Sequence, residues 1–158
     1  MDIQIREAKI EDYDDINALY KEVDEFHFEM KPNRLKGPGH FGREKQHFEG
    51  VIKNKNSTIL VATQGTAIVG FAELVIENEP ESNFLHPENH VEIEFFVVKE
   101  SYRGSGVGRL LMRGVEDWAK AKKIKALTLN AHSANEMALG FYQKNGYKIT
   151  SINLRKDL

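Results

Sequence analysis

The sequence predicts one α/β domain over residues 1–158, α+β by a stricter label: a mixed central sheet with helices on both faces. Three observations carry this prediction. Two β-rich runs, residues 58–63 and 67–76, flank the short link Gln64-Gly65-Thr66, which marks a hairpin. The apolar run 91–98 passes through a glycine-rich turn into a long amphipathic helix and then a further apolar run, 126–130, as β-α-β crossovers do. A length of 158 residues suits one core of ordinary size.

The elements follow in order. Residues 3–6 alternate and read as a strand. Ile16, Leu19, Tyr20 and Val23 recur at helical spacing, with Asp12 and Asp14 suited to the helix start. Breakers cluster at Lys31-Pro32-Asn33 and Lys36-Gly37-Pro38-Gly39, and a second helix follows with Phe41, Phe48, Val51 and Ile52 on its apolar side. The hairpin comes next, then a polar loop over 77–90, then the strand 91–98. The helix after the glycines presents Val107, Leu110, Leu111, Val115, Trp118 and Ala119 on one face. Strand 126–130 leads to a helix over 134–145, with Ser133 and Glu136 spaced as a capping box and Gly146 as its stop. Residues 147–155 are expected to close as a strand, completing the order β-α-α-β-β-β-α-β-α-β.

Composition narrows the chemistry. The chain has no cysteine, which excludes disulfides, thiolate metal sites and a cysteine nucleophile. A net charge of −2 gives no general attraction to nucleic acid or anionic lipid. The first residues show neither the basic start nor the apolar stretch of a signal peptide, and no run approaches a membrane span. A soluble cytoplasmic protein is expected. His40, His47, His86, His90 and His132 lack the H-x-x-x-H spacing, so no metal site is expected.

The most informative stretch is Arg103-Gly104-Ser105-Gly106-Val107-Gly108, where a strand hands over to a helix. A helix N-terminus offers unpaired N–H groups and partial positive charge, and glycines let a phosphate approach the backbone. A tight turn without a ligand needs fewer glycines. The Walker pattern requires a lysine that is missing here, and the dinucleotide fingerprint requires a later third glycine and a downstream acid. The spacing that fits is R-x-x-G-x-G.

With that signature the chain resembles the GNAT family of N-acetyltransferases. A second family pattern is similar to Asn135, Ala138, Tyr142, Gly146 and Tyr147, the last standing where phenylalanine is usual. The resemblance implies a GNAT fold and transfer of the acetyl group of acetyl-CoA to a primary amine of a small molecule or protein. It implies that the backbone of Gly104, Ser105, Gly106, Val107 and Gly108 cradles the pyrophosphate, with Arg103 beside it. It likewise implies that Val97, Val98 and Asn135 contact the pantetheine arm and that Tyr142 protonates the departing thiolate. The other reading of Tyr142 is a half-buried helix residue packed beside Phe141.

Glu92 and Glu94 are candidates to receive the amine's proton, since strand alternation puts both on one face together with Phe96; alternatively they face solvent. By family analogy the first two helices and the loop over 77–90 line the acceptor pocket, and His27 lies near the substrate. Glu77, Glu79, Glu81 and Glu88 either favour a cationic amine or form a solvated loop. Family members often pair as homodimers through the C-terminal region. A non-catalytic acyl-CoA sensor on the same fold is the alternative function. Without cysteine to hold the acetyl group, an active enzyme is expected to work through a ternary complex, with sequential kinetics.

Overall fold

Period-2 runs bounded by turn residues become the sheet, and period-3.6 runs become the helices that cover it. The computed structural model describes residues 2–31, 34–84 and 86–158; Pro32 and Asn33 of the expected breaker cluster lie outside them, as does Leu85. The order is β1 (Ile3–Glu7), α1 (Tyr13–Met30), α2 (Lys45–Lys53), β2 (Ser57–Gln64), β3 (Ala67–Glu79), β4 (Glu88–Val98), α3 (Val107–Ala121), β5 (Leu127–Leu129) and α4 (Glu136–Lys144). The strands form one sheet in sequence order, antiparallel except for the parallel pair β4–β5. The predicted mixed sheet with helices on both faces is therefore observed.

Each face has its own core. Ile16, Leu19 and Tyr20 of α1 and Phe48 of α2 pack with Ile59, Val61, Phe71 and Val97 on one side. Val107, Leu111, Met112, Val115 and Ala119 of α3 pack with Leu60, Ala72, Leu74, Val91 and Ile93 on the other. Leu110, expected on the buried stripe of α3, is exposed, and Met112 takes the buried place instead. Asp12 makes no side-chain cap bond to α1 itself, and its Oδ2 accepts the Lys9 N–H at 2.7 Å. Its carboxylate also grips the Arg6 guanidinium through two bonds of 2.7 and 2.9 Å, tying β1 to the start of α1.

Several expectations are corrected. The strands flanking the expected loop over 77–90 run into it, β3 to Glu79 and β4 from Glu88, because Glu77↔His90 and Glu79↔Glu88 still pair. Phe41 lies before α2 and packs on Phe28, with ring centroids 5.8 Å apart. The last helix is capped not by Ser133 but by Asn135, whose Oδ1 accepts the Ala138 N–H at 3.1 Å. Its stop is as expected: Gly146 has φ +89°, and Gly146 and Tyr147 donate to the Gln143 and Tyr142 carbonyls. The closing strand over 147–155 does not form, and residues 148–158 are exposed coil. Its apolar residues slip phase between Ile149 and Ile152, so no single face could be buried.

The irregularity that shapes the site is a bulge in β4. Glu73 pairs with Phe95 but Leu74 pairs with Ile93, leaving Glu94 as an extra residue. The bulge reverses the alternation beyond it. Phe95 thus shares the α1/α2 face, while Phe96 turns to the α3 face, not to the side expected from simple alternation with Glu92 and Glu94.

Candidate functional site

The parallel pair β4–β5 spans only Val91–Ile93 against Leu127–Leu129. Beyond Glu94, the β4 edge therefore has no strand beside it among the described residues, and the two strands part into a wedge. Val97 and Val98 lie on this open edge. A close approach by β3 holds it in place: a Cβ on Gly70 would stand 2.7 Å from the Val97 carbonyl oxygen.

The glycine turn sits at the end of that edge. Gly104 and Gly106 adopt φ of +75° and +95°, a conformation that glycine reaches without penalty. A Cβ at either would meet nothing within 4 Å, so the space over the turn is open. The first helical bond is Leu110 N–H to the Gly106 carbonyl at 3.1 Å, which leaves the N–H groups of Val107, Gly108 and Arg109 without helical acceptors. Ser105 N–H makes a long bond of 3.4 Å to the Tyr102 carbonyl, and Ser105 Oγ donates to the same oxygen at 2.6 Å. Arg103 Nε donates to the Val98 carbonyl at 3.2 Å, placing its guanidinium between the turn and the open edge.

Helix α4 closes the wedge from the other side. Gly108 admits it, since a Cβ there would lie 3.2 Å from the Phe141 ring. Phe141 packs on Phe96 at 5.5 Å, and Tyr142 meets Phe96 edge-on at 6.2 Å. Tyr142 therefore lies beside the open edge and also packs against Phe141, as its position in the helix suggested. Burial pushes its hydroxyl up to about 12, so it holds its proton throughout the neutral range.

On the opposite face a cavity of about 630 Å³ lies between α2 and the outer halves of β3 and β4. Arg43, His47, Glu73, Glu77, Glu94 and Phe95 are among its lining residues. Glu94 projects from the bulge, and its carboxyl is raised above the usual carboxylate range by desolvation and then by Glu92, Glu73 and Glu77. Glu92 is more tied: it accepts Asn130 Nδ2 at 2.9 Å and has His90 Nε2 at 4.0 Å. His27 is not among the lining residues of this cavity; it lies in the last turn of α1, its imidazole held below its ordinary value chiefly by burial.

Three residues of this pocket, Arg43, His47 and Glu73, were not read from the sequence as site residues. Glu73 is 6% exposed, accepts the Tyr20 hydroxyl on Oε2 and has His47 Nε2 at 3.5 Å from Oε1. Arg43 lies over the rings of Tyr20 and Phe95 at 4.9 and 4.8 Å and pairs with Asp24. The available signal was Glu73 itself, a lone acid inside the apolar run AIVGFAELVI. Arg43 and His47 carry no comparable mark. Among the described residues no group of three or more His, Asp or Glu side chains is arranged to hold a metal, and no helix is long and apolar enough to cross a membrane.

Known proteins match this chain both in sequence and in fold. The model of the acetyltransferase (GNAT) family matches residues 15–147. The chain belongs to the GNAT family. An uncharacterized N-acetyltransferase of Bacillus subtilis (strain 168), YdgE, is 35% identical over 74 residues, 47% of this chain and 47% of that protein. The second relative, YycN of the same organism, is 31% identical over 58% of this chain and 54% of its own length, so the chain matches about half of each. The fold match is fuller. The BH1408 protein of Bacillus halodurans, as a tetramutant, superposes with a TM-score of 0.91 at 25% identity, covering 98% of this chain and 99% of that one. This GNAT chain thus has an acetyltransferase fold and N-acetyltransferase relatives.

Proposed function

We propose that this GNAT protein transfers the acetyl group of acetyl-CoA directly to a primary amine. One observation carries the reading: the wedge joins the glycine turn at one end to Tyr142 and the β4 bulge at the other. The open space over Gly104 and Gly106 and the N–H groups of Val107, Gly108 and Arg109, which have no helical acceptors, suit a pyrophosphate. Arg103 adds charge beside it, and the β4 edge at Val97 and Val98, which no strand covers among the described residues, suits an amide-bearing arm lying as a further strand. Asn135 uses Oδ1 for the helix cap, which leaves its Nδ2 for that arm.

The acceptor arrives as an ammonium and gives one proton to Glu94, which the bulge holds at the cavity with a raised carboxyl pKa. Glu92, engaged by Asn130, is the weaker candidate. The amine nitrogen then attacks the thioester carbonyl, and backbone N–H groups on the open edge near Val97 stabilise the oxyanion. The carbon–sulfur bond breaks as the nitrogen gives its second proton to solvent, and Glu94 later releases the first to solvent. Tyr142 gives its proton to the departing thiolate and regains one from solvent. A titration of thiol released from acetyl-CoA against an amine panel tests the reading. Amine-dependent release that falls at least tenfold in Tyr142→Phe is expected. Saturable acetyl-CoA binding without release for any amine would instead make the protein an acyl-CoA sensor.

A further inference from the structure

We infer that Arg43 is a positioning residue for the reaction: held by Asp24, its guanidinium fixes Phe95 and so the β4 bulge that presents Glu94. This role deepens the transferase reading and rests on it for the kinetics, though not for the placement of the carboxyl.

One stripe of α1 is built around this arginine. Tyr13, Asn17, Tyr20 and Asp24 recur at spacings of four, three and four, which stacks them along one helix face. Every one of them meets Arg43. Its N–H donates to Asn17 Oδ1 at 2.7 Å, and its carbonyl accepts the Tyr13 hydroxyl at 2.8 Å. Its Nη1 and Nη2 bond the two Asp24 carboxylate oxygens at 2.7 and 3.2 Å, and its guanidinium lies over the Tyr20 ring at 4.9 Å. The residue before it is equally constrained. Gly42 has φ +87° and donates to Asp24 Oδ2 at 2.8 Å, and a Cβ there would stand 2.6 Å from Asn17 Oδ1.

The same guanidinium reaches the bulge. It lies 4.8 Å from the centre of the Phe95 ring, and Tyr20 meets that ring edge-on at 5.1 Å. Phe95 pairs with Glu73 where the register slips. It is only half-buried, so the guanidinium and the ring around it, rather than a closed core, set its place. Glu73 on the paired strand is held by the same helix, through the Tyr20 hydroxyl. Both members of the pair at the slip are thus tied to α1. Which way Phe95 faces decides where Glu94, the residue before it, projects.

Arg43 acts here by shape rather than by charge. Asp24 balances it, and the charged groups that face Glu94 are Glu92 on its own strand, Glu73 and Glu77 on β3, and His47 on α2. A lysine keeps the charge but has neither the two-pronged fork nor the flat face that covers a ring. Freed from the arginine, Phe95 and the bulge relax, and Glu94 turns from the carboxylates of β3 into water.

A carboxyl-detected NMR titration of the wild type, Arg43→Lys and Asp24→Asn tests this without any substrate. The Glu94 signal is assigned by its loss in Glu94→Gln, and thermal melting reports folding. In both variants the Glu94 titration is expected to fall by about half a pH unit or more toward an ordinary glutamate, because burial and the neighbouring carboxylates no longer oppose its charge. In the thiol-release assay the acid limb should move down with it. There kcat/KM for the amine should fall about tenfold or more, while KM for acetyl-CoA stays within about twofold. A purely structural arginine would lower the melting temperature and leave the Glu94 titration unmoved; that result in a folded Arg43→Lys overturns the inference. If Arg43→Lys does not fold, Asp24→Asn decides it on the same readout, taken at about 0.5 M salt so that the field of the unpaired arginine is screened. If no amine releases thiol, the transferase reading fails on its own, and the titration still tests whether Arg43 holds Glu94.

Discussion

At Glu94 two demands meet: the bulge that exposes the carboxyl also places it among Glu92, Glu73 and Glu77. Burial and these neighbours disfavour its charged form, so it takes up a proton at higher pH than an ordinary glutamate near 4.3. As the proposed proton acceptor, Glu94 works as the carboxylate. Activity should therefore fall as pH drops through the raised value, giving an acid limb displaced upward from the carboxylate range. Glu94→Gln is expected to lower kcat/KM at neutral pH at least tenfold and to remove that limb, while Glu92→Gln keeps it. A pH–rate profile of the two variants checks this, and a limb that survives in Glu94→Gln rejects the assignment. The pair Glu92 and Glu94 was visible in the sequence, but a choice between them was not. The choice depends on Asn130, a residue 38 positions away that occupies Glu92.

Elements were legible where one face is buried and periodicity is strong, as in α3, β2 and the heart of β4. They failed where tertiary pairing decides. The bulge cannot be read from VEIEFFVV, because it arises from the register with β3, and so simple alternation predicts the wrong face for Phe96. The closing strand failed for the opposite reason: its composition suits a strand, yet its apolar residues do not keep one phase. Gly70 shows how tightly the register is held. In Gly70→Ala the new Cβ would meet Val97 O at 2.7 Å and Val98 Cα at 3.4 Å, both backbone atoms that cannot swing aside. A loss of about 1–3 kcal/mol of stability is expected in urea denaturation, with a raised KM for acetyl-CoA as the open edge shifts. Gly140→Ala, where a Cβ meets nothing within 4 Å, should be neutral or stabilising by up to about 1 kcal/mol. Equal stability for both alanine variants would mean that β3 and β4 tolerate wider spacing.

For the whole molecule, the sheet divides two tasks between its faces and lets them meet at one strand. The α3 and α4 side carries the glycine turn and Tyr142, and the α1 and α2 side carries the acidic cavity. Strand β4 belongs to both, since the bulge turns Phe95 to one face and Phe96 to the other. The first half of this design was legible, because R-x-x-G-x-G and the tyrosine of the last helix sit in contiguous motifs. The proposed acceptor half was not, because Tyr20, the stretch of Arg43 and His47, and Glu73 come from three separate segments that only folding assembles. Two substrates approaching one strand from opposite faces can be bound together, and a chain without cysteine offers no thiol to hold the acetyl group between them. The central claim is direct transfer. Initial rates of thiol release, measured over a grid of acetyl-CoA and acceptor-amine concentrations, test it most directly. Intersecting double-reciprocal lines are predicted, and parallel lines with an isolable acetyl-enzyme would contradict the account.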